Sequence, residues 1–158
     1  MAAPLQGQAK SQLGTVSQVV GDARIEIVYR RPVARGRSLF GVLVPWGRVW
    51  TPSADSAARI RLSKPAEVNG AQLAAGEYSL WTIPDSSVWT VIFSDVPDAF
   101  HLRYPQGRDV LRVQATPKTG DYMETLAFYF PLVDADSAVL RLHWGTTVVP
   151  LLIRAKRG

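Results

Sequence analysis

Five arginines, Arg30, Arg31, Arg35, Arg37 and Arg48, fall between Glu26 and Asp55 with no acidic residue among them. A guanidinium is planar, permanently charged and donates in a bidentate fork, so such a cluster suits carboxylate, phosphate or sulfate groups. Pro32, Gly36, Gly41, Pro45 and Gly47 punctuate the same stretch, and Trp46 and Trp50 close it. Glycine lets the backbone come close to a ligand, and an exposed indole offers a flat face to a sugar or ring. The stretch therefore reads as one long irregular loop with a ligand-compatible face. Its candidate contacts are Arg31, Arg37, Trp46, Trp50 and Asp55. Trp81, on a later strand, joins them if its side of the strand lines a groove rather than a second core face. The competing reading is structural: the arginines pin the loop through its own carbonyls or Asp55, and the loop tryptophans anchor it by packing.

Acid–base chemistry has few candidates. His101 and His143 are the only side chains whose ordinary titration lies near neutrality, and Glu77 and Glu124, with Asp55, are the acids that a fold could bring to them. The plain alternative for His143 is a solvated strand face. There is no cysteine, hence no disulfide framework and no thiolate nucleophile or metal ligand. A metal would need both histidines to meet a carboxylate, and their spacing gives no sign of it, so neither a metal site nor a cofactor is expected. No Gly-x-Ser-x-Gly elbow occurs to suggest a serine hydrolase.

The elements that must position these residues are strands. No stretch keeps a helical hydrophobic period, whereas period-two alternation recurs throughout. Thr15–Val20 and Ala23–Tyr29 form a hairpin across Gly21-Asp22, with Ile25, Ile27 and Tyr29 on one face. Ala57–Ser63 alternates Ala58, Ile60 and Leu62 with Arg59 and Arg61, and Asn69-Gly70 is a strong turn dipeptide. Glu77–Ile83 and Val88–Ser94 follow, joined across Pro84–Ser87, with Trp89 in the core. Further strands are expected at Val110–Ala115, Met123–Phe130, Ala138–Trp144 and Thr147–Ile153, the last two joined through Gly145-Thr146 and with Trp144 in the core. Short helical turns are expected at most at Ser38–Val44 and Val96–Leu102. About nine strands at this spacing predict an all-β fold, an antiparallel β-sandwich or jelly-roll-like barrel with one long irregular loop.

Length and composition agree with that. At 158 residues, 47% apolar and 20% charged, the chain is long enough for one domain with its own core. We expect that domain over residues 14–154, after a flexible segment 1–13 and before a basic tail 155–158. A net charge of +5 favours anionic surfaces but falls short of dedicated nucleic-acid binders, and the aromatics form no base-stacking motif. No apolar run is long enough to span a bilayer. The opening Met1-Ala2-Ala3-Pro4-Leu5-Gln6-Gly7-Gln8 resembles the spacer after a removed leader, so export to the periplasm or beyond is expected.

Tyr29-Arg30-Arg31-Pro32, Gly36-Arg37, Phe40-Gly41 and Leu43-Val44-Pro45-Trp46-Gly47-Arg48-Val49-Trp50 resemble the start of DUF2911, a family of bacterial domains of unknown function. The similarity continues through Leu73–Pro84, Trp89–Phe93 and Asp109–Val113, and spans about Thr15 to Ile153. It implies an exported or lipoprotein-type, β-rich protein with no settled activity. After the second tryptophan the family pattern looks like Arg-Thr-Gly-Ala-Asn-Glu/Asp-Ala, whereas this chain has Thr51-Pro52-Ser53-Ala54-Asp55-Ser56-Ala57. The arginine is lost and Ser53 replaces a glycine, so a site on that loop has changed ligand or lost its first role, with Asp55 the matching polar position. Three readings follow. The first is an exported domain binding a small polar or anionic ligand, such as a saccharide. The second is an enzyme with a barrel cavity using His143 or His101 with Glu77, Glu124 or Asp55. The third is a structural or interaction domain, with a homodimer through sheet edges as the assembly expected of it.

Overall fold

The computed structural model describes residues 10–155. Ten strands run in the order β1 (Gln12–Val20), β2 (Ala23–Arg31), β3 (Ala58–Leu62), β4 (Ala66–Val68), β5 (Ala71–Leu73), β6 (Gly76–Ile83), β7 (Trp89–Ser94), β8 (Asp109–Ala115), β9 (Lys118–Val133) and β10 (Ser137–Ala155). They form a six-stranded antiparallel sheet, β1-β2-β3-β6-β7-β8, and a four-stranded one, β5-β4-β10-β9. Neither closes into a barrel, so the all-β sandwich is what the alternating pattern builds. The expected segment 1–13 and tail 155–158 fall largely outside the described residues.

The turn residues act as their chemistry predicts. Val20 pairs with Ala23, leaving Gly21-Asp22 as a two-residue loop with Gly21 at φ 60°. Asn69 and Gly70, at φ 48° and 85°, turn β4 into β5, a small hairpin beyond the nine strands expected. Ile25, Ile27, Ile60, Leu80, Trp89 and Phe93 of the large sheet pack against Leu126, Phe128, Leu140, Trp144 and Ile153 of the small one. The opposite face of the large sheet buries Trp81 and Ile92 beneath Ala99 and Tyr104 of the 95–108 connection.

Three expectations are corrected. Gly145 does not end a strand: β10 passes straight through it, with Gly145 at φ 58° and the register against β9 shifting on both sides. A left-handed glycine inserts a bulge, which bends a strand without reversing it. Ser38–Val44 is not helical, because Gly41 sits at φ 90° and its N–H bonds forward to the Val44 carbonyl, 2.8 Å away. Val96–Leu102 is not helical either. The Ala99 carbonyl there accepts from the Ala57 N–H and the His101 N–H donates to the Asp55 carbonyl, a sheet-like pairing that leaves no helical ladder.

Candidate functional site

The long loop caps one end of the sandwich because its two limbs are sewn to different sheets. Leaving β2, Arg31 donates from Nε to the Leu126 carbonyl (2.9 Å), the Leu126 N–H donates to the Pro32 carbonyl (3.0 Å), and the Ala34 N–H donates to the Glu124 carbonyl (2.9 Å). This limb lies against β9. On the return, Trp50 and Thr82 of β6 exchange both backbone bonds, at 2.8 and 2.7 Å. Between the limbs the Leu43 N–H donates to the Ser38 carbonyl, the Gly47 N–H donates to the Pro84 carbonyl, and Val44 is buried.

Capping brings aromatic rings together. The Phe40 ring lies 5.0 Å from Trp89, 5.6 Å from Trp50, 6.2 Å from Trp144 and 6.4 Å from Trp46, measured between centroids. Trp50 stacks nearly parallel to Trp144, at 8° and 6.1 Å. Edge and offset arrangements of this kind add to simple burial. Above the cluster opens a cleft of about 320 Å³ with apolar walls from Leu39, Phe40, Trp46 and Trp144, and polar groups from Arg37, Tyr122, Thr146 and Thr147. Behind Arg37 lies a second cleft of about 280 Å³ where Lys10 and Arg35 add positive charge.

Arg37 is held but not exhausted. Its Nε donates to the Ala34 carbonyl at 2.9 Å and one Nη2 hydrogen to the Val33 carbonyl at 2.7 Å. Three of the five guanidinium hydrogens are left, on a group whose orientation is already fixed. Tyr122 donates its hydroxyl hydrogen to Glu124 Oε1, so in the cleft its oxygen acts as an acceptor. Glu124 Oε2 in turn accepts the Arg35 N–H at 3.1 Å. The Tyr122 hydroxyl first, then the Arg35 N–H and the charges of Arg35 and Arg37, hold the Glu124 carboxyl below its ordinary range.

The expected site residues divide. Arg37 and Trp46 share the cleft wall, and Trp50 lies beneath it as a half-buried anchor stacked on Trp144. Arg31 is a staple between the sheets: it bonds the Leu126 carbonyl of β9, neither a carbonyl of its own loop nor Asp55. Trp81 is buried in the outer-face cluster, with Nε1 donating to Ser79 Oγ at 2.9 Å, so it lines a second core face and no groove. Asp55, at φ 64°, contributes its carbonyl, which accepts both the His101 N–H and its Nδ1–H.

His143 is not on a solvated face. It is buried, donating from Nε2 to the Asp121 carbonyl at 2.7 Å, with Nδ1 2.8 Å from the Tyr129 hydroxyl. Since a carbonyl only accepts, Nε2 carries hydrogen, and both ring nitrogens are engaged. Gly120 of β9 passes beside this ring: a Cβ there would meet His143 Cε1 at ordinary contact, 3.5 Å, but would press on Val148 Cγ2 at 2.8 Å. Glu77 stands on β6 opposite Arg61 of β3. Among the described residues no hydrogen bond or ion pair joins any two of His101, His143, Glu77 and Glu124, and no three His, Asp or Glu side chains form a group able to hold a metal.

Sequence reasoning did not find Phe40, Tyr122, Thr146, Thr147 or the cleft role of Trp144. Only Phe40 had a signal, in the Phe40-Gly41 motif. It also left open the use of the residues after Trp50. Thr51 is buried, with its hydroxyl donating to the Leu80 carbonyl (2.7 Å) and accepting the Ala58 N–H (3.0 Å). Ser53 Oγ accepts the Arg30 N–H at 2.9 Å. These side chains satisfy backbone groups and line neither of the two clefts.

The family model described as a protein of unknown function, DUF2911, matches residues 11–153, nearly the whole chain. Neither the curated proteins nor the solved structures contain a match.

Proposed function

The chain belongs to the DUF2911 family, and on that premise we propose that it binds a small polar or anionic ligand, a saccharide carrying a carboxylate being the best fit, in the cleft between the loop and β9–β10. The observation that carries this reading is Arg37. Its guanidinium is fixed by the Val33 and Ala34 carbonyls while three hydrogens are left for a ligand, beside the faces of Phe40, Trp46 and Trp144. A fixed fork recognises a carboxylate without first losing side-chain freedom. The aromatic faces suit the apolar side of a sugar ring, and the Tyr122, Thr146 and Thr147 oxygens accept from its hydroxyls. A volume near 320 Å³ lies at the small end of ligand pockets, which points to a single ring rather than an oligomer.

Glucuronate and galacturonate, with glucose as the neutral control, are the probes, followed by thermal shift and tryptophan emission. Acid sugars are expected to bind more tightly than glucose, and Arg37→Gln to weaken them at least about tenfold, the scale of one charge-assisted bond pair. Trp46→Ala is expected to weaken both acid and neutral sugars. If no probe alters the melting midpoint or the emission, or if Arg37→Gln leaves affinity unchanged, this assignment of the cleft is wrong.

A further inference from the structure

The tip of the same loop carries apolar side chains that have nowhere to go. Val42 is 70% exposed, Trp46 45% and Leu43 42%, within five residues of one another, and Val49 is exposed nearby. The Val42 and Val44 N–H groups both bond to the Leu39 carbonyl and the Gly41 N–H to that of Val44, so the tip is a closed reversal with Val44 already filling its inside. These side chains cannot turn inward. Arg48 is exposed beside them, and the only acid on the turn to which the tip is tied is Asp85.

We propose that this tip docks on an anionic lipid surface, with Val42, Leu43 and Trp46 entering the interface and Arg48 at the level of the phosphates. A projecting reversal needs no matching pocket in a fluid bilayer, whereas a protein partner would have to supply one. Tryptophan partitions to the boundary between headgroup and acyl chain, and each arginine near an anionic surface adds electrostatic attraction. The net charge of +5 acts in the same direction over longer range. This is attachment to a surface: no helix among the described residues is long and apolar enough to cross a membrane. Trp46 also lines the ligand cleft but Val42 and Leu43 do not, so variants of those two test docking apart from the sugar reading.

The test is co-sedimentation of the whole chain with vesicles of equal phosphatidylglycerol and phosphatidylcholine, against phosphatidylcholine alone. We expect binding to the anionic vesicles, weakened by salt, with a blue shift from Trp46, the most exposed of the five indoles. Val42→Ser with Leu43→Ser is expected to lower partitioning at least about tenfold, the scale of two exposed aliphatic side chains. Arg48→Gln is expected to lower it about fivefold. Absence of sedimentation with anionic vesicles overturns the proposal and turns the tip toward a protein partner. Equal partitioning of the double variant overturns insertion, leaving charge alone. If the double variant does not fold, quenching of Trp46 by brominated lipid decides in the wild-type chain: quenching supports insertion and its absence rejects it.

Discussion

At the base of the loop, polar side chains bond to backbone: Arg31 to Leu126, Thr51 to Leu80 and Ala58, Ser53 to Arg30. At its tip, from Ser38 to Val49, the backbone bonds to itself and to Pro84, the side chains of Val42, Leu43 and Arg48 face outward, and Trp46 stacks on Phe40 in the cleft wall. Turn residues occur in both, whereas arginine is concentrated at the base in Arg30, Arg31 and Arg35, with Arg48 alone at the tip. What separates them is how many hydrogen-bonding groups the fold has already used, and that, rather than the number of arginines, decides where a ligand can be recognised. Arg37 stands between the two regions, with two hydrogens given to the fold and three retained.

The largest effect that can break this comparison comes from the base. Thr51→Val keeps the shape but leaves the Ala58 N–H and a Leu80 carbonyl lone pair without the hydroxyl, a loss of about 2–3 kcal/mol. A urea unfolding midpoint should fall with an unchanged slope, while Trp46 emission in the folded state stays as it was. A loss below about 0.5 kcal/mol would mean that the buried hydroxyl is dispensable and the base no more fixed than the tip.

Gly41→Ala addresses the tip. Gly41 sits at φ 90°, and an added Cβ would lie 2.5 Å from Trp46 Nε1. A left-handed backbone alone costs a side-chain-bearing residue about 1–2 kcal/mol, and relief requires Trp46 to leave Phe40. The expected result is a changed Trp46 emission and weaker sugar and vesicle binding, with a smaller loss of global stability than Thr51→Val causes. Equal or greater destabilisation would show that the tip and the core unfold as one unit.

How far the sequence announces this arrangement depends on the range of the interaction. Alternation in Ile25–Ile27–Tyr29 and in Ala58–Ile60–Leu62 marks strand faces because neighbours two apart share a face, and Asn69-Gly70 marks its turn through local backbone geometry. Gly145 reads as a turn for the same local reason: a left-handed glycine looks alike in a turn and in a bulge, and only the partner strand β9 distinguishes them. Arg37 and Trp46 were visible as chemistry, but the other wall of their cleft comes from Tyr122, Trp144, Thr146 and Thr147, about a hundred residues away. No periodicity records that approach. Nor does residue type tell that Arg31 is consumed by Leu126, since a carbonyl partner leaves no mark on composition.

The smallest predicted effect joins the two regions through Glu124, which touches the base through the Arg35 N–H and the cleft through Tyr122. Because its carboxyl titrates lower in the folded chain than the ordinary value of 4.5, its contribution to stability is complete above that value and is lost as the pH falls through the folded one. Tyr122→Phe removes the largest cause of the depression. The Glu124 titration, followed by carbon-detected NMR, should move back toward 4.5 without reaching it, since the Arg35 N–H and the charges of Arg35 and Arg37 still favour the anion. Freed from Tyr122, the carboxylate is then more open to solvent beside Arg37, and acid sugars should bind slightly less well while neutral ones are affected only by the lost phenol oxygen. An unmoved titration would mean that Tyr122 does not donate to Glu124, and the cleft would then present a hydroxyl donor where we place an acceptor.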